Sequence, residues 1–197
     1  MLRSIFLLAA VALCSTVIFA ASVDTTSFEK RKVGRRAVCT PASFGDTQKD
    51  DTVGIKAAIT SCGNGGTIII PSGKIYSLRT MLDFTGCIKC DFQIEGTLKA
   101  SGDTDYWATQ PAMLYVNKIS GLSIRSLTGT GVIDGNGQNA YDIFAVDTTL
   151  KRPTLLLVSG GSKINIKGFT SKPNSQSGIF PPDTLSYPII HRWRWLS

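Results

Sequence analysis

The apolar residues of this chain fall in short runs rather than in long amphipathic periods. One segment differs. Asp50, Asp51 and Thr52 precede Val53, Ile55, Ala57, Ala58 and Ile59, which are spaced roughly as on one helix face, and Gly63 follows. A polar start, a helical period and a terminal glycine predict one short helix over residues 52–61. Beyond it lie runs at 67–70, 75–78, 92–94 with Leu98, 114–116, 122–124, 131–133, 155–158 and 164–166. Most are rich in Ile, Val and Leu and are separated by Gly, Asn, Asp or Ser, the pattern of short strands joined by tight corners.

The runs also repeat weakly. Leu122, Ile124 and Leu127 map onto Ile164, Ile166 and Phe169 at an offset of 42 residues. Stacked coils give such a repeat, because each coil buries its apolar side chains on those of its neighbour. A β-sandwich also uses short strands, but its strands alternate more cleanly between apolar and polar residues. The expected fold class is therefore all-β, a parallel β-helix, with the 52–61 helix capping the open end of its core. Residues 138–145 are expected to protrude from a coil as a short helix or loop.

The flanks read differently. Arg3 followed by the apolar stretches 5–13 and 17–19, with Ala20 and Ala21 behind them, reads as a secretory signal over residues 1–21. The alternative, a membrane anchor, is disfavoured by its shortness and by Cys14, Ser15 and Thr16. Residues 22–37 are polar and basic and read as a pro-region or linker. Lys30 and Arg31 within it mark a propeptide cleavage candidate, with Arg35 and Arg36 as a second pair; the alternative is a solvated charge cluster. The β-helix is expected over residues 38–177. Residues 178–197 carry three prolines, two tryptophans and no coil pattern, and read as a non-repeat tail.

The formal charge of +7 falls to +6 once Arg3, Lys30 and Arg31 are removed together with Asp24 and Glu29. A basic surface attracts polyanions, pectate and nucleic acid alike. The positive charges are scattered and not interleaved with aromatics, so nucleic acid is not an expected partner. After loss of Cys14 with the signal, Cys39, Cys62, Cys87 and Cys90 form an even set, which in a secreted chain favours disulfides. Connectivity is open from sequence, with Cys39–Cys62 and Cys87–Cys90 preferred. Cys87 and Cys90 also have redox or zinc spacing. A zinc site would need two further ligands where His191 is the single histidine, so no metal or other cofactor is expected.

Four motifs occur in order: Ser43-Phe-Gly-Asp46 with Asp50-Asp51-Thr52; Cys62-Gly-Asn-Gly-Gly66 running into Ile70-Pro-Ser-Gly73; Phe92-Gln-Ile-Glu-Gly96; and Gly129-Thr-Gly131-Val-Ile-Asp134-Gly135-Asn-Gly137. Together they resemble the N-terminal part of glycoside hydrolase family 28, the polygalacturonases, and within it the fungal exo-polygalacturonases. The resemblance runs from about residue 38 to 169. It implies a right-handed, pectin-lyase-like parallel β-helix, here only partial, and a secreted, extracellular enzyme. The implied substrate is the α-1,4-linked galacturonic acid of pectin, cleaved by inversion without a metal. Inversion needs one carboxylic acid to protonate the leaving oxygen and one carboxylate to activate water.

The family draws those groups from Asn-Thr-Asp and Asp-Asp elements, completed by Gly-His-Gly and Arg-x-Lys. None stands here in its expected place. Asp50-Asp51 belongs to the cap, and His191 stands in His-Arg-Trp. No catalytic residue is therefore assigned, and no substrate-binding residue is named. Asp91, Glu95 and Asp134 are read as structural, Asp134 as a turn ligand between glycines. Residues 170–175 resemble the stretch before the family's Asn-Thr-Asp element, after which the tail departs from the pattern, as a frameshift or retained intron would produce. His191 to Trp195 has a second reading as a basic-aromatic binding tail. The 197-residue chain is thus expected to be inactive in pectin hydrolysis, and monomeric or aggregation-prone. The alternative is a catalytically dead secreted pectin-binding or structural β-solenoid protein.

Overall fold

The computed structural model describes residues 36–151 and 153–172, and the backbone of 179–180. The signal, the Lys30–Arg31 pair and the tail around His191 lie outside the described residues. Strand β1 (Val38–Cys39) leads to helix α1 (Thr52–Cys62), then β2 (Thr67–Ile70), β3 (Ile75–Leu78) and β4 (Leu82–Asp83). A second coil follows as β5 (Asp91–Ile94), β6 (Thr97–Ala100), helix α2 (Thr104–Ala108) and β7 (Ala112–Ser120). The third is β8 (Ser123–Arg125), β9 (Val132–Asp134), helix α3 (Gln138–Phe144) and β10 (Thr154–Ser162). The fourth is β11 (Asn165–Lys167), β12 (Thr170–Lys172) and β13 (Ile179–Phe180).

Every pairing is parallel and joins equivalent strands of successive coils. The first sheet runs β1-β2-β5-β8-β11, the second β12-β9-β6-β3 and the third β13-β10-β7-β4. The expected 42-residue offset appears as the register Ile124↔Ile166. Side chains alternate across each strand, so the inward positions stack into columns. One column is Ile68, Phe92, Ile124 and Ile166. Another is Leu82, Leu114 and Leu156. Leu127 departs from the repeat: it is 60% exposed. The chain turns out of β8 at Ser126, so Leu127 lies past the strand and outside the core. Its counterpart Phe169 packs against the core, half-buried.

Helix α1 closes the core from the N-terminal side with Ile55, Ala58, Ile59 and Cys62 buried. At its start Asp50, not the N-cap residue, takes the helix-start amide, Thr52 N. Asp51 sits at the N-cap with no side-chain cap bond. Its carboxylate instead receives Phe44 N and Ser77 N, at 2.7 and 2.8 Å. Asp50 receives Thr52 N, Arg79 N and the Thr80 hydroxyl. The two acids bind the cap segment to β3. The Cys39–Cys62 disulfide ties β1 to the end of α1, and Cys87–Cys90 closes the corner before β5. Both preferred pairings are the ones formed.

The glycines of the fourth motif have different causes. Gly129 has φ +79°, as a tight corner requires. Gly131 is there for space, since a Cβ would run into the Ile94 carbonyl of the coil below.

Candidate functional site

The β-helix has one elaborated corner. The connection from the second sheet to the third takes residues 79–81 in the first coil, 101–111 in the second and 135–153 in the third. The last two carry α2 and α3. In α2, the Asp103 side chain accepts Tyr106 N, and the buried Trp107 donates its indole N–H to Ser101. Helix α3 confirms the expected protrusion and buries none of its residues. Loops raised on a rigid scaffold are where binding groups concentrate. The two excursions flank the outer face of the third sheet, which makes that face the candidate site.

Its residues follow from strand alternation. Leu114 and Val116 point inward and are buried, so Tyr115 and Asn117 point outward. In register with them stand Leu157 and Ser159 of β10, and Asp83 of β4 pairs with Tyr115. An aromatic ring, an amide and a hydroxyl on neighbouring strands suit a sugar, which presents both C–H faces and hydroxyls. Asp83 is already engaged: its Oδ1 accepts Thr85 N and the Thr85 hydroxyl, both at 2.8 Å. Sequence reasoning placed a strand at 114–116 but named no substrate-contacting residue. The signal was the combination of an outward aromatic with two long insertions at the same corner.

The carboxylates weighed from sequence lie elsewhere and are bound. Asp91 of β5 meets Arg125 of β8 in a two-pronged pair, Nε to Oδ1 at 2.7 Å and NH2 to Oδ2 at 2.6 Å. Burial would raise the Asp91 carboxyl, but Arg125 and Gln93 outweigh it and hold it below its ordinary range. Glu95 sits under the corner of the third coil. It accepts Leu127 N at 2.7 Å, Thr128 N at 3.1 Å, the Ser126 hydroxyl at 2.8 Å and the Thr128 hydroxyl. Burial opposes ionisation there too, yet these donors bring its pKa down to about 2. Asp134 accepts Asn136 N at 2.9 Å, the turn role expected of it. Asp50 is likewise held low: burial raises it, and bonds from Thr52, Arg79 and Thr80 prevail.

Two cavities lie among the described residues. A cleft of about 530 Å³ lies at the N-terminal cap, bordered by Ser43, Asp46, Lys74 and Tyr76. Its polar walls are spent on structure: Ser43 donates to the Ile75 carbonyl and Tyr76 to the Pro41 carbonyl. A void of about 20 Å³ between the two excursions, lined by Trp107 and Met113 among others, has room for about one water. Among the described residues no cluster of three or more metal-ligating side chains occurs, and no helix is long and apolar enough to cross a membrane.

Comparison with known proteins bears on this geometry directly. A probable endo-xylogalacturonan hydrolase A of Aspergillus fumigatus is 57% identical over 137 residues, 70% of this chain and 34% of that protein. Endo-xylogalacturonan hydrolase A of Aspergillus tubingensis is 48% identical over 170 residues, 86% of this chain and 41% of that protein. The crystal structure of the Aspergillus tubingensis enzyme superposes with a TM-score of 0.68 and 52% identity over 68% of this chain and 36% of that one. The chain is homologous to the N-terminal part of glycoside hydrolase family 28. No family model matches it.

The family 28 likeness makes the fold a right-handed parallel β-helix. The chain spans between a third and about two fifths of the length of these relatives. Within family 28 the sequence motifs pointed to exo-polygalacturonases, whereas these relatives are named endo-xylogalacturonan hydrolases. The motifs form the α1 cap, the Glu95 clasp and the Gly131 corner, and include none of the outward residues of the third sheet.

Proposed function

We propose that this chain is the N-terminal coil platform of a secreted, pectin-degrading glycoside hydrolase acting on galacturonan. Its relatives' name makes a xylose-substituted backbone the preferred form. The platform supplies binding surface through Tyr115, Asn117 and Ser159. Its described residues assemble no acid–base pair, so the 197-residue chain does not cleave glycosidic bonds by itself. The observation that carries this is the state of the carboxylates. Glu95 is held near a pKa of about 2 by four donors, and Asp91 is locked to Arg125. A general acid for an inverting cleavage needs its pKa raised toward the working pH. Two disulfides support an oxidising, extracellular setting.

The test is release of reducing ends from xylogalacturonan and from polygalacturonate. The 197-residue chain is compared with a chimera that joins its residues 36–172 to the remaining coils of the Aspergillus tubingensis enzyme. Cleavage by the chimera and none by the chain is the expected result. Turnover by the chain alone would refute the absence of an acid–base pair. A folded but inert chimera would refute the hydrolase platform.

A further inference from the structure

The ends of β7 and β10 and the corner from the third sheet to the first carry an unusual set of residues. Lys89, Lys118 and Lys163 have φ of +53°, +52° and +54°. That left-handed region is unfavourable for a residue with a Cβ and is ordinarily left to Gly, Asn or Asp. Glycines stand there too: Gly121 in the corner and Gly160 near the end of β10 have φ of +77° and +80°. The lysines and glycines alternate along the stacking direction. Lys89 N donates to the Ser120 carbonyl at 3.0 Å and Gly121 N to the Ser162 carbonyl at 2.8 Å, so Lys89, Gly121 and Lys163 stand at equivalent points of successive coils.

The glycines make room for the lysine stems. A Cβ on Gly121 would lie 3.1 Å from Lys89 Cγ, and one on Gly160 would lie 3.5 Å from Lys118 Cγ. Each stem therefore runs over the glycine of the next coil, along the solenoid axis. With strands about 4.8 Å apart, Lys89 and Lys163 are separated by about 10 Å of backbone, and Lys118 lies on the coil between. All three are exposed. Among the described residues the one ion pair is Arg125 with Asp91, so the acid closest in sequence to Lys89 is already taken.

We propose that Lys89, Lys118 and Lys163 form a carboxylate-gripping ridge that holds an acidic polysaccharide chain along the outer face of the third sheet. The ridge rests on the galacturonan reading and specifies how that polymer is held. Lys118 adjoins Asn117, and Lys163 follows the last residue of β10, so the ridge borders the Tyr115–Asn117–Ser159 surface on the side opposite the excursions. A polymer with a carboxylate on each sugar meets a spaced series of ammonium groups. Strained backbone at a surface corner, repeated three times with the same cationic side chain, is what a binding role accounts for and a purely structural corner does not.

The experiment measures retention of the 197-residue chain in gels containing polygalacturonate, fully methyl-esterified polygalacturonate or single-stranded DNA. Lys89→Asn/Lys118→Asn/Lys163→Asn is compared with Lys56→Asn/Lys74→Asn/Lys172→Asn, an equal loss of charge elsewhere. Asn suits the left-handed region, so the first variant keeps or raises the melting temperature. The expected result is about a tenfold loss of affinity for polygalacturonate in the ridge variant, with a weaker salt dependence, and less than about twofold in the other. The esterified polymer retains the wild type poorly. Equal loss in both variants, equal retention by the esterified polymer, or tighter retention by DNA would overturn the ridge. If the ridge variant loses binding as expected while the chimera described above is inert, the hydrolase reading falls and the ridge stands. If the wild type is not retained by polygalacturonate, the ridge falls whatever the chimera does.

Discussion

Replacing Glu95 by Gln tests how the coils are held together. The carboxylate of the second coil takes four hydrogen bonds from residues 126–128 of the third, two of them from backbone amides. Oε1 serves Leu127 N, and Oε2 serves Ser126 and Thr128. An amide at this site turns one acceptor into a donor that faces donors, whichever way it is flipped. The pKa falls from an ordinary 4.5 to about 2, which at face value is about 3 kcal/mol of preference for the ionised form. Glu95 is partly open to solvent, and screening reduces that to roughly 1–2 kcal/mol.

For a chain of this size the loss corresponds to a fall in Tm of about 3–6 °C at pH 7. The sign follows from the direction of the shift. A lowered carboxyl stabilises the fold above its unfolded pKa, and the contribution disappears as pH falls through the folded one. The gap between wild type and Glu95→Gln is therefore full at pH 6–7, shrinks below about 4.5 and is gone near pH 2. Urea midpoints at constant m, taken from pH 7 down to pH 2.5, read it directly. A gap of the same size at every pH would show that shape alone, not charge, makes the clasp. No gap at pH 7 would refute the clasp altogether.

Gly131→Ala pushes a methyl group into the Ile94 carbonyl and is expected to cost about 3 kcal/mol or more, seen as loss of soluble, cooperatively unfolding protein; a variant that melts with the wild type would contradict it. Removing the Cys39–Cys62 bridge by double Ser substitution frees a loop of 23 residues and should lower stability by about 3 kcal/mol in the chain-entropy model, read as a urea midpoint shift. In the column Ile68, Phe92, Ile124 and Ile166, the first three are fully buried and Ile166 is half-buried. Ile124→Ala should therefore cost about 2–5 kcal/mol and Ile166→Ala clearly less; equal costs would mean that the stacking is not the one-dimensional array its register implies.

The architecture was legible because it is written in the apolar rungs. The inward positions recur wherever a coil must cover its neighbour, and the 42-residue offset of Leu122 and Ile124 is a direct record of register. Leu127 was misplaced in that pattern because a sequence does not mark the residue at which a strand leaves the sheet. Both disulfides were readable, since four cysteines near one end have few ways to pair. The binding surface was less so. Tyr115 and Asn117 differ from other outward residues only through the insertions that arrive beside them from 101–111 and 135–153. The lysine corner left no sequence signal at all. Lys89, Lys118 and Lys163 lie at spacings of 29 and 45 residues, which reads as scattered charge until coils of unequal length stack them.

The same inequality of coil length bears on what the scaffold is for. Apolar rungs fix the strand register, so extra residues in a coil have to leave it at a corner. Here the additions between β6 and β7 and between β9 and β10 enter at one corner, beside the third sheet, while the other end of that sheet turns into the first sheet through only two residues in the second and third coils and carries the lysines. Coils that served stability alone would gain nothing from such one-sided growth. A surface with a wall on one edge, cations on the other and Tyr115, Asn117 and Ser159 between them has the form of a trough for an extended polyanion. Asp91 and Glu95 lie away from this face, Asp91 paired with Arg125 and Glu95 ionised and bonded to the third coil's corner, while Asp83 on the face is bonded to Thr85. The acids that hold the coils together are thus kept away from the trough, and the lysines along its edge offer positive charge to the polymer.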